Sequence, residues 1–218
     1  MQHLIVATRN AHKTREIQRI LGADFVVRDL SAYPEIPETV ESGKTFEENA
    51  TLKATAASSQ LPGLVVADDS GLEVDALGGA PGIYSARYAG QNATDKQNID
   101  KLLAELARIE RAKRSARFRC VIALARKGKL LGTFEGVVEG MIVDSPRGTN
   151  GFGYDPIFVP REFEQTFGEL PAEVKDRISH RGRAIRLFAA VLANRKTGNQ
   201  GLGGGGGAPG GGGAPGCC

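Results

Sequence analysis

Two adjacent carboxylates, Asp68 and Asp69, follow the apolar run Leu64, Val65, Val66 and Ala67 in the stretch ADDSGLEVDALGGAPGIYSARYAG. A run of this length is the pattern of a buried strand, and charge at its end is costly unless something compensates it. Successive side chains of a strand point to opposite faces, so one acid can enter a cleft while the other supports loop backbone or a neighbouring lysine. A carboxylate at the C-terminal edge of a parallel-type strand stands where α/β folds bind ligands. Paired with Glu41 it would make a hard, oxygen-rich site suited to Mg2+ holding phosphates. A turn formed by Asp-Ser-Gly would account for one of the acids but not for both.

Four other segments carry groups able to do chemistry. In ATRNAHK, residues 7–13, a strand runs into a helix, and backbone N–H groups there, joined by a hydroxyl, an amide and an ammonium, suit an anion. An ordinary strand-to-helix turn capped by Thr8 or Asn10 would use the same residues. PETVESGKTFEENATLKA, residues 37–54, puts Glu38 and Glu41 before a helix on which Asn49 and Lys53 share a face. That face either lines a cleft or is solvated, and acids before a helix also serve its dipole. PRGTNGFGYDP, residues 146–156, offers close backbone approach at its glycines, rings at Phe152 and Tyr154, and an acceptor at Asp155. A planar base could stack on Phe152. EVKDRISHRGRA, residues 173–184, gathers Lys175, His180, Arg181 and Arg183, donors suited to keto oxygens or phosphate. No G-x-S-x-G elbow accompanies them, so they are not read as a nucleophilic triad.

The elements that must position these groups alternate between strand and helix. Leu4–Ala7 reads as a strand and Lys13–Leu21 as a short amphipathic helix. Thr45 with Glu48 forms a capping box for a helix to about Ser59, and Thr94 with Gln97 forms a second, followed by the stripe Ile99, Leu102, Leu103, Leu106. Phe118–Ala125 and Leu130–Val138 read as a hairpin about Lys127-Gly128, and Ile178–Asn194 as a closing helix. This order predicts an α/β fold with a mixed sheet.

Composition narrows the function classes. At 41% hydrophobic and 24% charged, 218 residues suit one globular unit with a sizeable core. A net charge of +3 without a concentrated basic stripe does not point to nucleic acid. No apolar run approaches the roughly 18 residues of a membrane span, and MQHLIVATRN does not read as a secretory signal, so the expected location is cytoplasmic, with no membrane partner. Cys120, Cys217 and Cys218 offer neither a disulfide framework nor metal-ligand spacing. The last residues are nearly all Gly, Ala and Pro and have nothing to bury, so 198–218 is expected to be a flexible tail behind a domain spanning 1–197.

Taken together and in order, ATRNAHK, ESGKTFEENATLKA, ADDSGLEVDALGGAPGIYSARYAG, PRGTNGFGYDPIFVP and ISHRGRA resemble the inosine/xanthosine triphosphate pyrophosphatase family over residues 1–195. The resemblance implies a long mixed β-sheet with flanking helices in two lobes around a central cleft, usually as a homodimer. It implies Mg2+-assisted hydrolysis of a deaminated purine nucleoside triphosphate between its α- and β-phosphates. On this pattern the segment Thr8, Arg9, Asn10, Ala11, His12 and Lys13 binds the triphosphate, chiefly through Thr8, Asn10 and Lys13. Glu41 and Asp69 hold the metal, and Asp69 is also the catalytic proton acceptor for water. Lys53 and Asp68 support that centre, Ser70 contacts substrate, Phe152, Gly153, Tyr154 and Asp155 hold the base, and Lys175, His180 and Arg181 complete the pocket. Ser70-Gly71 would allow close approach of the substrate, and the Gly/Pro-rich continuation through Arg87 would pack under the site or at the dimer contact. Arg9 departs from the commoner Thr-Gly-Asn form, and Gly168 stands where Ala is common. A pyrophosphatase for modified pyrimidine nucleotides would share the acids and lysines without the base-pocket motifs, and a non-catalytic nucleotide binder would follow if Arg9 blocked the phosphate loop.

Overall fold

The computed structural model describes residues 2–198. Its strands are β1 (Gln2–Val6), β2 (Phe25–Asp29), β3 (Val65–Val74), β4 (Ser115–Arg126), β5 (Lys129–Ile142) and β6 (Phe158–Pro160). Its helices are α1 (Ala11–Leu21), α2 (Phe46–Gln60), α3 (Asp95–Leu106), α4 (Ala172–Ile178) and α5 (His180–Gly198). One six-stranded sheet runs β2-β1-β3-β4-β5-β6. The β2, β1 and β3 strands are parallel, and the remaining pairs are antiparallel. This is the mixed α/β sheet with flanking helices expected from the sequence.

The strand carrying the acids is longer than the sequence indicates. Its parallel pairing with β1 ends at Val66, but it continues antiparallel to β4 through Asp68↔Ile122, Asp69↔Val121 and on to Val74↔Ala116. The acids therefore lie inside a strand, at the point where one neighbour stops. Three apolar clusters surround that point. Val65 and Ala67 pack with Ala50, Ala54 and Ala57 of α2 on one face, and Val66 packs with Ile17 of α1 and Ile185 and Phe188 of α5 on the other. Leu72 and Val74, further along, join the cluster of α3, Phe118, Phe158 and Phe167. The stretch Asp68–Gly71 falls between these bodies, and the cleft opens there.

Local rules explain most element ends. Asn10 caps α1 by accepting from His12 N and Lys13 N, which starts the helix at Ala11, two residues before the expected Lys13. Thr94 and Gln97 form a full capping box. At α2 only half the expected box forms: Thr45 accepts from Glu48 N, while the Glu48 carboxylate accepts from Lys44 N. Lys127 and Gly128 both take positive φ and turn the β4–β5 hairpin, whose strands run several residues beyond their expected ends. The closing helix expected from Ile178 is α5, which starts at His180 after Ser179, whose backbone is extended; the short helix α4 before it is not among the expected elements. No helix among the described residues is long and apolar enough to cross a membrane. Of the segment expected as a tail, Gly198 ends α5, and 199–218 lie outside the described residues.

Candidate active site

Because side chains alternate along β3, Asp69 faces α2 and Asp68 faces α1 and α5. On the α2 face, Lys53 donates to Asp69 Oδ1 at 2.6 Å, to Glu41 Oε1 at 3.0 Å and to the Asp68 carbonyl at 2.9 Å. Arg87, from the 3-10 segment Gly82–Arg87, donates to Glu41 Oε2 at 2.9 Å. Asp69 is buried, and its Oδ2 has no protein partner. Burial raises the pKa of Asp69 despite the Lys53 ammonium beside it. At Glu41 burial acts in the same sense but loses to Lys53 and Arg87, and its pKa is lowered. Two carboxylates thus face one ammonium, with one buried carboxylate oxygen left over.

Asp68 sits in a different circuit. Arg181 donates to it through Nε at 2.8 Å, Lys13 Nζ lies 2.5 Å from Oδ1, and Ser70 Oγ and Cys120 Sγ donate at 2.9 and 3.0 Å. Burial opposes its ionisation, but Arg181 and Lys13 hold its pKa well below the usual carboxylate range. The circuit extends through Glu16, which accepts from Arg181 Nη1 at 2.5 Å and from Lys175 Nζ at 2.7 Å, and through Asp155, which accepts from Lys175 at 2.5 Å. All of these groups except Lys13 and Ser70 are buried. Such a chain of paired charges is rigid, because losing one partner leaves a buried charge uncompensated.

Between the circuit and α3 lies a cavity of about 320 Å³, lined in part by Lys13, Ser70, Phe152, Lys175, His180 and Arg181. The cations of Lys175 and Arg181 stand 5.1 and 5.5 Å from the Phe152 ring centre, and the His12 ring is 5.3 Å away. His180 stacks on Phe118 at 4.8 Å with an interplanar angle of 10°, and its Nδ1 has no partner. Burial, then Arg181 and Lys175, push its pKa well below that of ordinary histidine, so it is a neutral ring. The loop of residues 146–156 is tied at several points: Phe152 N to Asp155 Oδ2, Gly153 N to Asp95 Oδ2 at 2.7 Å, and the Tyr154 hydroxyl to the Ser85 carbonyl.

A second cleft of about 750 Å³ shares Asn10 and Lys13 with this cavity and reaches Glu41, Lys53 and Asp68. The turn of Thr8–Lys13 forms its wall. Thr8 Oγ1 accepts from Asn10 N, the Asn10 amide oxygen caps α1, and Ala11 and His12 are exposed. No acid occupies the first turn of α1, which leaves that helix end favourable to an anion. Arg9 also lines this cleft, with its guanidinium committed to the carbonyls of Leu30 and Ile36 and Glu38 3.7 Å from its Nε. Residues of all five segments thus converge on one double cleft, although Ala11, His12 and Asp69 are not among its lining residues. Glu38 does not join the carboxylates, and Tyr154 and Asp155 spend their polar atoms on internal bonds. Gly71 admits the Gly82–Arg87 segment, since a Cβ there would lie 2.4 Å from the Gly82 carbonyl oxygen and 2.5 Å from Ser85 Oγ.

Sequence reasoning overlooked Glu16 and Asp95 as participants; it placed the segment through Arg87 under the site or at the dimer contact without giving Arg87 its bond to Glu41. Glu16 had a usable signal, being one helical turn from Lys13 and next to the buried Ile17 on a short helix.

Among the described residues no three or more His, Cys, Asp or Glu side chains gather as a metal cage. Glu41 and the free Oδ2 of Asp69 could hold a hard cation that draws its remaining ligands from phosphate oxygens and water, which is how Mg2+ is commonly held.

A family model described as the Ham1 family matches residues 4–191. A Geobacter sulfurreducens protein named dITP/XTP pyrophosphatase is 54% identical over 190 residues, 86% of this chain and 95% of that protein. A Shouchella clausii protein of the same name is 51% identical over 192 residues, 88% of this chain and 97% of that protein. The structure of the Staphylococcus aureus Ham1 protein superposes with a TM-score of 0.79 at 43% identity, covering 89% of this chain and all of that one.

Proposed function

The chain belongs to the Ham1 family, and from that premise we propose that it hydrolyses deaminated purine nucleoside triphosphates (dITP, ITP and XTP) to the monophosphate and pyrophosphate. The observation that carries this reading is the junction on β3. There a lysine-paired acid with a free buried oxygen, Asp69, stands between Asp68 and Ser70. Asp68, with Lys53, lines the cleft at the cationic helix end, and Ser70 lines the cavity walled by Phe152. That arrangement suits a triphosphate at one end and a planar base at the other.

In this reading the N-terminus of α1 and Lys13 bind the phosphates through aligned N–H groups and an ammonium. Asp69 takes the proton of the attacking water, and its raised pKa suits a general base. Lys53, already between Asp69 and Glu41, balances their charge and stabilises charge developing on the phosphates. Glu41 and Asp69 would hold Mg2+, which when bound supplies charge neutralisation on phosphate oxygens and orientation of the leaving group. Asp68 and Ser70 carry substrate-side groups held in place by Arg181.

Base choice rests on the cations and the neutral imidazole at the cavity wall. A 6-keto oxygen accepts from such donors, whereas the 6-amino group of adenine leaves a donor unpaired, at about 1–3 kcal/mol per group. Guanine shares the keto oxygen and is rejected at position 2, by the lack of a partner for its amino group. Residues 1–197 are proposed as the catalytic unit with 198–218 appended, assembled as a homodimer in the cytoplasm. The assembly is supported by apolar side chains left exposed at Tyr84, Leu130 and Leu131. The test is pyrophosphate release from ITP, dITP, XTP, ATP, GTP and modified pyrimidine triphosphates, with and without Mg2+. Release confined to the deaminated purines and dependent on Mg2+ is the expected result; equal release from ATP would overturn the substrate assignment.

A further inference from the structure

Glu41 rides on an irregular stretch, residues 33–44, that enters α2. Among the described residues, few bonds hold it. At its far end Gly43 N donates to Asn49 Oδ1 and Lys44 N to Glu48 Oε2, fixing the approach to the helix. At its near end Ile36 is buried, and its carbonyl accepts from Arg9 Nη2 at 2.7 Å. Between these anchors the one main-chain bond is Ser42 N to the Val40 carbonyl, and Pro37, Glu38 and Val40 are exposed. Arg9 also donates to the Leu30 carbonyl at 2.9 Å, and the Leu30 amide donates to the Thr8 carbonyl. From the turn that begins α1, one planar guanidinium therefore bridges the Leu30 carbonyl, just past β2, and the Ile36 carbonyl of this stretch. A planar fork bridges two acceptors in a way that a point-charge ammonium cannot.

We infer that Arg9 is a positioning residue that fixes the segment bearing Glu41 against the phosphate-binding turn. Arg9 and Asn10 are neighbours, so the cap of α1 and the near anchor of the Glu41 segment belong to one rigid turn. The metal-side carboxylate and the helix end facing the phosphates are then held at a set separation before substrate arrives. The Glu41 side chain is kept in place by Lys53 and Arg87 at its tip, but its backbone depends on the anchors at Ile36 and Gly43. This rests on the reading of Glu41 as a metal carboxylate, and it differs from direct phosphate binding by Arg9.

The test uses the full chain with Arg9→Ala and Arg9→Lys, measuring hydrogen exchange of the free protein and turnover of ITP across a Mg2+ series. Two charge-assisted hydrogen bonds are lost in Arg9→Ala, so exchange of the bonded amides of Ile36 and Ser42 should quicken at least about fivefold, with α2 and β3 unchanged. The Mg2+ concentration for half-maximal rate should rise by a similar factor, while kcat at saturating Mg2+ and the preference for ITP over ATP stay within about twofold. Arg9→Lys should recover less than half of either effect. Unchanged exchange in Arg9→Ala, or a raised KM for ITP at saturating Mg2+ that Arg9→Lys restores, would overturn the inference in favour of a phosphate contact. If the wild-type protein releases no pyrophosphate from any triphosphate, the proposed activity fails, while the exchange measurement still decides whether Arg9 anchors the segment.

Discussion

Arg181 holds Asp68 at two points, Nε to Oδ2 at 2.8 Å and Nη2 to Oδ1 at 3.4 Å, with both side chains buried. Its Nη1 is engaged by Glu16 at 2.5 Å and Nη2 also by Ser70 Oγ at 2.8 Å. The residue expected to read the base is therefore first a counter-charge for the strand that carries the acids. Arg181→Ala should leave Asp68 and Glu16 partly uncompensated and destabilise the fold by about 3–5 kcal/mol, the usual result of removing one partner of a buried pair. Urea denaturation measures this, and a loss under about 1 kcal/mol would show that the circuit is not structural. Where the variant folds, its preference for ITP over ATP should also fall.

Asp69→Asn keeps an acceptor for Lys53 but removes the basic oxygen that has no protein partner. Hydrolysis of ITP should fall by about 10²–10⁴, the range for a general base, while nucleotide affinity by calorimetry changes little. Near-normal turnover would remove Asp69 from that role.

Acid stability should report on Glu16. Burial raises the pKa of this carboxylate, but Arg181 and Lys175 outweigh it and bring the pKa down from 4.5 to about 2. The unfolded chain therefore binds this proton first, so its contribution is fully present above pH 4.5 and is lost as pH falls toward about 2. The full difference is about 3 kcal/mol at about 1.36 kcal/mol per pKa unit. Glu16→Gln should be less stable at neutral pH, and its stability should decline less steeply than wild type between pH 4.5 and 2. Parallel denaturation curves over that range would contradict the assignment.

Much of this could be read from the chain itself. The acids of β3, the caps at Thr45 and Thr94 and the Lys127-Gly128 turn depend on local chemistry, and each was found where its residues stand. What escaped depends on distant partners. Asp, Ser and Gly are poor strand formers, so β3 reads as ending at Ala67; ten residues of antiparallel pairing with β4 override that preference. Strand β2, FVVRD, is held by its parallel register with β1 across α1, which no local pattern announces. Glu16 reads as a surface acid until Lys175 and Arg181, more than 150 positions away in sequence, close over it. The short helix α4 also escaped, whereas the start of α5 falls within two residues of its expected position, because Ser179 is extended and its Oγ caps the helix by accepting from Gly182 N.

Asp95 supplies the last expectation. It opens α3, where Thr94 already provides the cap, and its carboxylate accepts from Gly153 N at 2.7 Å. Gly153 follows Phe152 directly, so this bond sets the loop that presents the ring to the cavity. Losing a charge-assisted bond of about 1.5–3 kcal/mol in Asp95→Ala should loosen the ring in the free protein and raise KM for ITP by about tenfold. The step at the phosphates does not involve Asp95, so kcat should stay within about twofold. Asp95→Asn keeps the acceptor without the charge and should recover most of the KM. A fall in kcat at unchanged KM would instead place Asp95 in the chemical step.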